Sequence, residues 1–179
     1  LASLRRGGFE ALRAGFDERV RPDLPPGVLG PHASAGVSCV GAREVLLAWN
    51  VVVRGVDLAQ ARQIAAVIRE KGGGFYGLRA LGLRLEAQDR IQISMNLENP
   101  DKTAPLAVFE RIESEVLALG GAVVETEVIG MMPDALVLPK TASRLKLRNL
   151  GFSRVLSHRI AGYISDRGGR PSEISDITE

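Results

Sequence analysis

The side chains best suited to hold a polar ligand in this chain are amides, a hydroxyl and one arginine. Arg43 follows a small bend, Gly41-Ala42. A guanidinium at such a place can clamp a carboxylate through two parallel hydrogen bonds, or pair with a nearby acid. Asn50 interrupts the apolar run Val45 to Val53, and Gln92, Ser94 and Asn96 alternate with Ile91, Ile93, Met95 and Leu97. Amides in a half-buried strand need partners, because an unpaired buried amide costs about 1–3 kcal/mol. Gly72-Gly73-Gly74 follows an apolar-periodic segment rather than preceding one. It therefore reads as a helix terminator and turn, not as a phosphate-cradling loop. No Ser/His/Asp, Cys/His or paired-carboxylate constellation can be assembled, and no catalytic residue is expected here. Cys39, His32 and His158 match no zinc spacing, so no metal site is expected either.

These residues are positioned by four strands and two helices. Val45–Val53 reads as a buried strand. Asp57 is a good N-cap for a helix running to about Lys71, with Leu58, Ala61, Ile64, Ala65 and Ile68 on one stripe. Arg79–Glu86 and Arg90–Leu97 form a hairpin around Ala87-Gln88-Asp89. A second helix is expected from Lys102 to Leu119, with Thr103 as its cap and Leu106, Phe109, Ile112, Val116 and Leu119 inward. Ala122–Ile129 is a fourth strand. The order β-α-β-β-α-β predicts an α+β fold, a ferredoxin-like antiparallel sheet with both helices on one face and strands one and three central.

Around this core, Ala2 to Arg19 reads as a leading connector helix within residues 1–20, weakened by Gly7-Gly8. A Pro/Gly-rich linker occupies residues 21–36, the domain residues 37–165, and a polar tail residues 166–179. Helical pieces broken by Pro139 and Gly151 close the domain near Ile164. Lys140, Arg144 and Arg148 are spaced four apart and would share a face if that stretch is helical. Such a face is either solvated or attractive to an anionic chain.

The uncovered face of the sheet carries the functional expectation. If Leu47, Trp49, Val51 and Val53 pack under the helices, then Leu46, Ala48, Asn50 and Val52 point the other way, beside Gln92, Ser94 and Asn96. A polar planar ligand, a second domain or water would satisfy that face. RNA-binding modules of this topology stack bases on aromatic residues of the central strands. Here the third strand has none, and Trp49 is expected to face the helices. With 23 Lys+Arg against 21 Asp+Glu, the net charge of +2 is no nucleic-acid footprint.

The remaining composition, 45% hydrophobic and 25% charged over 179 residues, is that of a globular domain. A lone cysteine fits a reducing, cytoplasmic setting. The stretch Val45–Val53 is too short to span a bilayer, and the opening residues lack the pattern of a secretory leader. The chain opens on Leu1 rather than Met, as a processed product or a piece of a longer chain does.

Several strings taken together resemble a known family. They are Pro31-His32 with Gly36, Val40-Gly41-Ala42-Arg43, Ala48-Trp49-Asn50-Val51, AAVIREKGGG over 65–74, Leu78 to Leu81, QISMNL over 92–97, Val128-Ile129-Gly130, Pro133, and Phe152 with Val155-Leu156 and Arg159. They resemble the C-terminal subdomain of glutamate formimidoyltransferase, and LASLRRGGFEALR is similar to the helix joining that family's two subdomains. The resemblance implies a transferase moving a formimino group from N-formimino-glutamate to tetrahydrofolate, in histidine breakdown. The folate would be a co-substrate lying between two halves. The family's catalytic histidine lies in the N-terminal subdomain and has no counterpart here. On this reading Arg43 is the anion clamp, Asn50 and Asn96 read the pterin or stabilise its site, Ser94 is a further folate-binding residue, and Gly73 and Gly74 form a backbone wall. The expected partners are folate, formimino-glutamate, an N-terminal subdomain in cis or trans, and a second copy in a homodimer. Nucleic acid and membrane are not expected. The alternative is a non-catalytic small-molecule-binding or dimerisation module.

Overall fold

An unbroken run of apolar and β-branched residues flanks Asn50, and the first long strand, β1, runs Leu47–Arg54. Hairpin strands β2, Leu78–Leu85, and β3, Arg90–Leu97, and a later strand β4, Ala122–Ile129, join it. In the computed structural model, residues 6–14, 23, 30–43, 45–148 and 151–166 are described. Helices α2, Leu58–Ile68, and α3, Pro105–Ala118, complete the βαββαβ order. The strand order is β2-β3-β1-β4, with β1 and β3 central and all pairings antiparallel. A fifth strand, β5, Leu147–Arg148, pairs parallel to β4 and makes the sheet mixed. The sequence reading did not include it, since two residues carry no periodicity.

The chain divides into two compact units, Leu1–Arg43 and Glu44–Glu179. Within the first, α1 spans Gly8–Ala14. The expected leading helix, Ala2 to Arg19, is broken at Arg6–Gly7, a turn with Gly7 at φ 78°; its residues beyond α1 and this turn, half of the linker and residues 167–179 lie outside the described residues. His32 and Gly36 close a small loop by reciprocal backbone hydrogen bonds of 3.0 Å. Inside it His32 Nδ1 accepts from the backbone of Ala35 at 3.1 Å, so this imidazole caps a turn.

In the second unit one face of the sheet is the core. Leu47, Trp49, Val51 and Val53 all face it, as expected, against Ala61, Ile64, Ala65 and Ile68 of α2 and Val108, Phe109, Ile112 and Val116 of α3. Trp49 stacks on Phe109 with ring centroids 6.4 Å apart. Two inward assignments fail. Leu106 and Leu119 are 40% and 43% exposed, one in the first turn of α3 and the other at its C-cap.

Helix ends also differ from expectation, for local reasons. α2 has a full capping box, Asp57 with Gln60, but stops at Ile68 rather than Lys71. Arg69 is extended there, and Phe75 N–H donates to the Ile68 carbonyl at 2.8 Å. A short 3₁₀ turn over Glu70–Gly72 follows, closed by Gly73 in the left-handed region at φ 83°. α3 begins at Pro105 rather than Lys102; a proline in the first turn forfeits no helix hydrogen bond. Thr103 is not its cap. Its hydroxyl donates instead to the Tyr76 carbonyl at 2.8 Å.

The segment after β4 is tied back to the sheet. The buried Thr126 hydroxyl donates to the Leu145 carbonyl at 2.7 Å, Lys146 adopts φ 51°, and Thr126 N–H donates to the Lys146 carbonyl at 2.9 Å. Only Pro139–Arg144 forms a helix here, α4, so Lys140, Arg144 and Arg148 do not share one helical face. Arg144 meets Glu113 at 2.8 Å and lies over Phe109, whereas Arg148 belongs to β5. A last helix, α5, covers Leu156–Asp166.

Candidate functional site

Cross-strand register decides which side chains meet on the face opposite the helices. Asn50 stands opposite Ser94 on β3 and Glu127 on β4; Ala48 stands opposite Asn96 and Ile129; Val52 opposite Gln92 and Glu125. The outer strand adds Arg79 beside Asn96, Leu81 beside Ser94 and Leu83 beside Gln92. Residues in register share a face. Asn50, Gln92, Ser94 and Asn96 therefore do line one side of the sheet.

Their environments differ. Asn50 and Gln92 are only 8% and 5% exposed, Ser94 is half-buried and Asn96 is open. Asn50 Nδ2 donates to Glu127 Oε1 at 3.3 Å. A carboxylate only accepts, so this contact fixes the amide: Nδ2 faces Glu127 and Oδ1 does not. Glu127 is itself held by Arg148, whose guanidinium meets it at 2.9 Å and reaches Glu125 at 3.1 Å. Arg90 completes the lattice on Glu125 at 2.8 Å. Two carboxylates of β4 are thus balanced by two arginines, and Asn50 is oriented by that lattice.

Sequence reasoning singled out neither Glu125 nor Glu127, and it weighed Arg148 only as part of a basic helical face. Glu125 and Glu127 are two apart on a strand beside β1, which was a usable signal, but Arg148 could be placed only once β5 was seen.

A cavity of about 350 Å³ opens at the outer end of β2 and β3. Ser94 and Asn96 line it together with Arg79 and the turn residues Arg69, Glu70 and Lys71. Glu98 hydrogen-bonds the Arg79 guanidinium; that bond, then the Glu98 charge, raise the Arg79 pKa. Gly73 and Gly74 shape the turn rather than line the cavity. A side chain at 74 would bring its Cβ within 2.1 Å of the Ile68 carbonyl oxygen. Arg43 is exposed in the other unit. Among the described residues no cluster of His, Cys, Asp or Glu could hold a metal ion. No described helix is long and apolar enough to cross a membrane.

The family model for the formiminotransferase domain matches residues 48–152, the span from β1 to the start of the turn at Phe152. The chain belongs to the formiminotransferase-domain family. The matched span holds Asn50, Gly73, Gly74, Ser94 and Asn96, and Arg43 precedes it. Relatives carry this relationship further along the chain. A glutamate formimidoyltransferase of Thermoplasma acidophilum is 31% identical over 163 residues, covering 89% of this chain and 53% of the relative. One of Streptococcus pyogenes serotype M1 is 33% identical over 164 residues, with 90% and 54% covered. The formimidoyltransferase-cyclodeaminase of Sus scrofa is 32% identical over 175 residues, 94% of this chain and 32% of the relative. This formiminotransferase-domain chain therefore spans about half the length of the two glutamate formimidoyltransferases.

Proposed function

We propose that this chain is the folate-facing half of a glutamate formimidoyltransferase, an enzyme that moves a formimino group from N-formimino-glutamate to tetrahydrofolate. The observation that carries the reading is the oriented amide of Asn50, set between Ser94 and Glu127 on the sheet face opposite the core, in a chain of this family. A pterin edge presents alternating donors and acceptors. Asn50 Oδ1, the Ser94 hydroxyl and the Asn96 amide offer the matching set, so their role is to bind and orient tetrahydrofolate. Gly73 and Gly74 act as backbone that keeps the neighbouring turn tight. The proton transfers and the formimino donor belong to the companion N-terminal half, in cis or trans. Leu81 and Ile129, exposed on the same face, are the apolar surface such a half would cover. The same two side chains favour the second reading, a binding or dimerisation module without catalysis. A guanidinium is expected to take the folate carboxylates, and the sequence nominates Arg43.

Calorimetric titration of 5-formyltetrahydrofolate, a stable folate, tests this. We expect Asn50→Ala to weaken binding roughly fivefold, the loss of one hydrogen bond worth about 1 kcal/mol. Unchanged affinity in a folded Asn50→Ala protein would remove the amide from the site.

A further inference from the structure

Two buried N–H groups lack an acceptor among the described residues, Trp49 Nε1 in the core and Arg69 Nε at a cavity wall. Arg69 follows α2 in an extended conformation. Buried donors of native proteins almost always find partners, and an unsatisfied one in a charged group carries its full desolvation penalty. The cavity beside β2 and β3 is lined in part by this same residue. Its volume, about 350 Å³, is at the small end for a ligand site, enough for one end of a ligand rather than the whole of a folate. Its charged lining is Arg69, Lys71 and Arg79 against Glu70 alone. Ser94 and Asn96 belong both to this lining and to the face that carries Asn50, so the two places are continuous.

We infer that this cavity is a carboxylate subsite in which the Arg69 guanidinium receives an acidic end of the ligand lying along Ser94 and Asn96. The inference rests on the folate reading and deepens it: the acid is the glutamate end of the folate. A planar guanidinium fits a carboxylate as a fork, and the ligand's oxygen supplies the acceptor that the Nε–H lacks. Lys71 adds attraction without being aimed, while Arg79 is already paired with Glu98. Nothing in the stripe pattern of α2 singles out Arg69, since it reads as one more polar residue at a helix end.

The test uses three probes titrated into the full-length protein. They are 5-formyltetrahydrofolate, pteroate, which keeps the pterin and aminobenzoate but lacks glutamate, and p-aminobenzoylglutamate, which lacks the pterin. Arg69→Met should weaken 5-formyltetrahydrofolate and p-aminobenzoylglutamate roughly tenfold or more, the usual loss of a charge-assisted hydrogen bond. Pteroate should stay within about twofold of its parent affinity, because its single carboxylate, on the aminobenzoate ring, stops short of the place the glutamate carboxylates reach. Arg69→Lys should recover only part, since a point charge does not reproduce the fork. An equal loss on all three probes would make Arg69 a structural residue and overturn the subsite. So would a loss that follows Arg43→Ala and not Arg69→Met. If p-aminobenzoylglutamate binds through Arg69 while neither pterin compound binds, the subsite stands and the folate reading falls. If p-aminobenzoylglutamate is indifferent to Arg69, the subsite falls whatever the pterin does.

Discussion

Asn50 shows how much chemistry a single side chain can acquire from its neighbours. In the sequence it is an amide inside an apolar run. In the fold its Nδ2 is committed to Glu127 at 3.3 Å, which leaves Oδ1 as the group on offer. The isosteric change Asn50→Asp replaces that donor with an acceptor and sets two carboxylates face to face at a largely buried position. We expect a loss of about 2 kcal/mol at neutral pH in urea unfolding. The new carboxyl's pKa should rise above its unfolded value near ~4, so the folded state binds the extra proton. The loss is then absent at low pH and grows as the pH rises through the folded pKa. Adding Glu127→Gln should restore part of the stability, because a glutamine amide can donate to the introduced carboxylate. A double-mutant cycle with no coupling would mean that the two side chains do not interact in solution.

At the scale of elements, the turn after α2 and the strand β5 are held by contacts that leave little slack. Helix α2 lies so close on β2 that a Cβ at Gly82 would come within 2.5 Å of the Arg62 backbone nitrogen. Gly82→Ala must therefore push the helix off the sheet. We expect about 1–3 kcal/mol of destabilisation, read as a lowered urea midpoint with an unchanged slope. At the other edge one buried hydroxyl is among the ties between β4 and the segment before β5. Thr126→Val keeps the shape of the side chain but strips the buried Leu145 carbonyl of its 2.7 Å partner. That should cost about 1–3 kcal/mol and speed amide exchange in residues 145–148 before the rest of the sheet. The existence and type of the long elements were legible from periodicity, down to the bounds of β3 and β4. The ends of α2 and α3 were not, because they are set by Phe75 bonding back to Ile68 and by Pro105, contacts and constraints outside the repeating stripe.

On the scale of the whole molecule, the core residues run from Leu47 to Val155 and all belong to the second unit. A fragment of residues 44–179 should therefore unfold in one cooperative transition, with a melting temperature within a few degrees of the full chain. A broad, non-cooperative melt of that fragment would show that residues 1–43 are needed for the fold. The proposed division of labour makes a matching prediction about activity. These 179 residues alone should give no turnover with formimino-glutamate and tetrahydrofolate, and turnover should appear when an N-terminal formimidoyltransferase half is supplied. His32 already caps its own turn through Nδ1, and general-base work requires a group free to reach the substrate. Turnover by the chain alone that is lost in His32→Ala would put the catalytic centre in this half.

Period-2 and period-3.6 patterns are local. The sequence by itself therefore determined the order βαββαβ, the helix-facing placement of Trp49 and its neighbours, the common face of Asn50, Ser94 and Asn96, and, through several short strings, the resemblance to a family. What only the tertiary structure decided is non-local. Register brought Glu127 to Asn50, a two-residue strand brought Arg148 to Glu127, and the turn after α2 buried the Nε–H of Arg69 beside a cavity. Alternation says which face a side chain takes, but its partner across the sheet depends on how strands slide against one another, and that is set by the packing of the whole core.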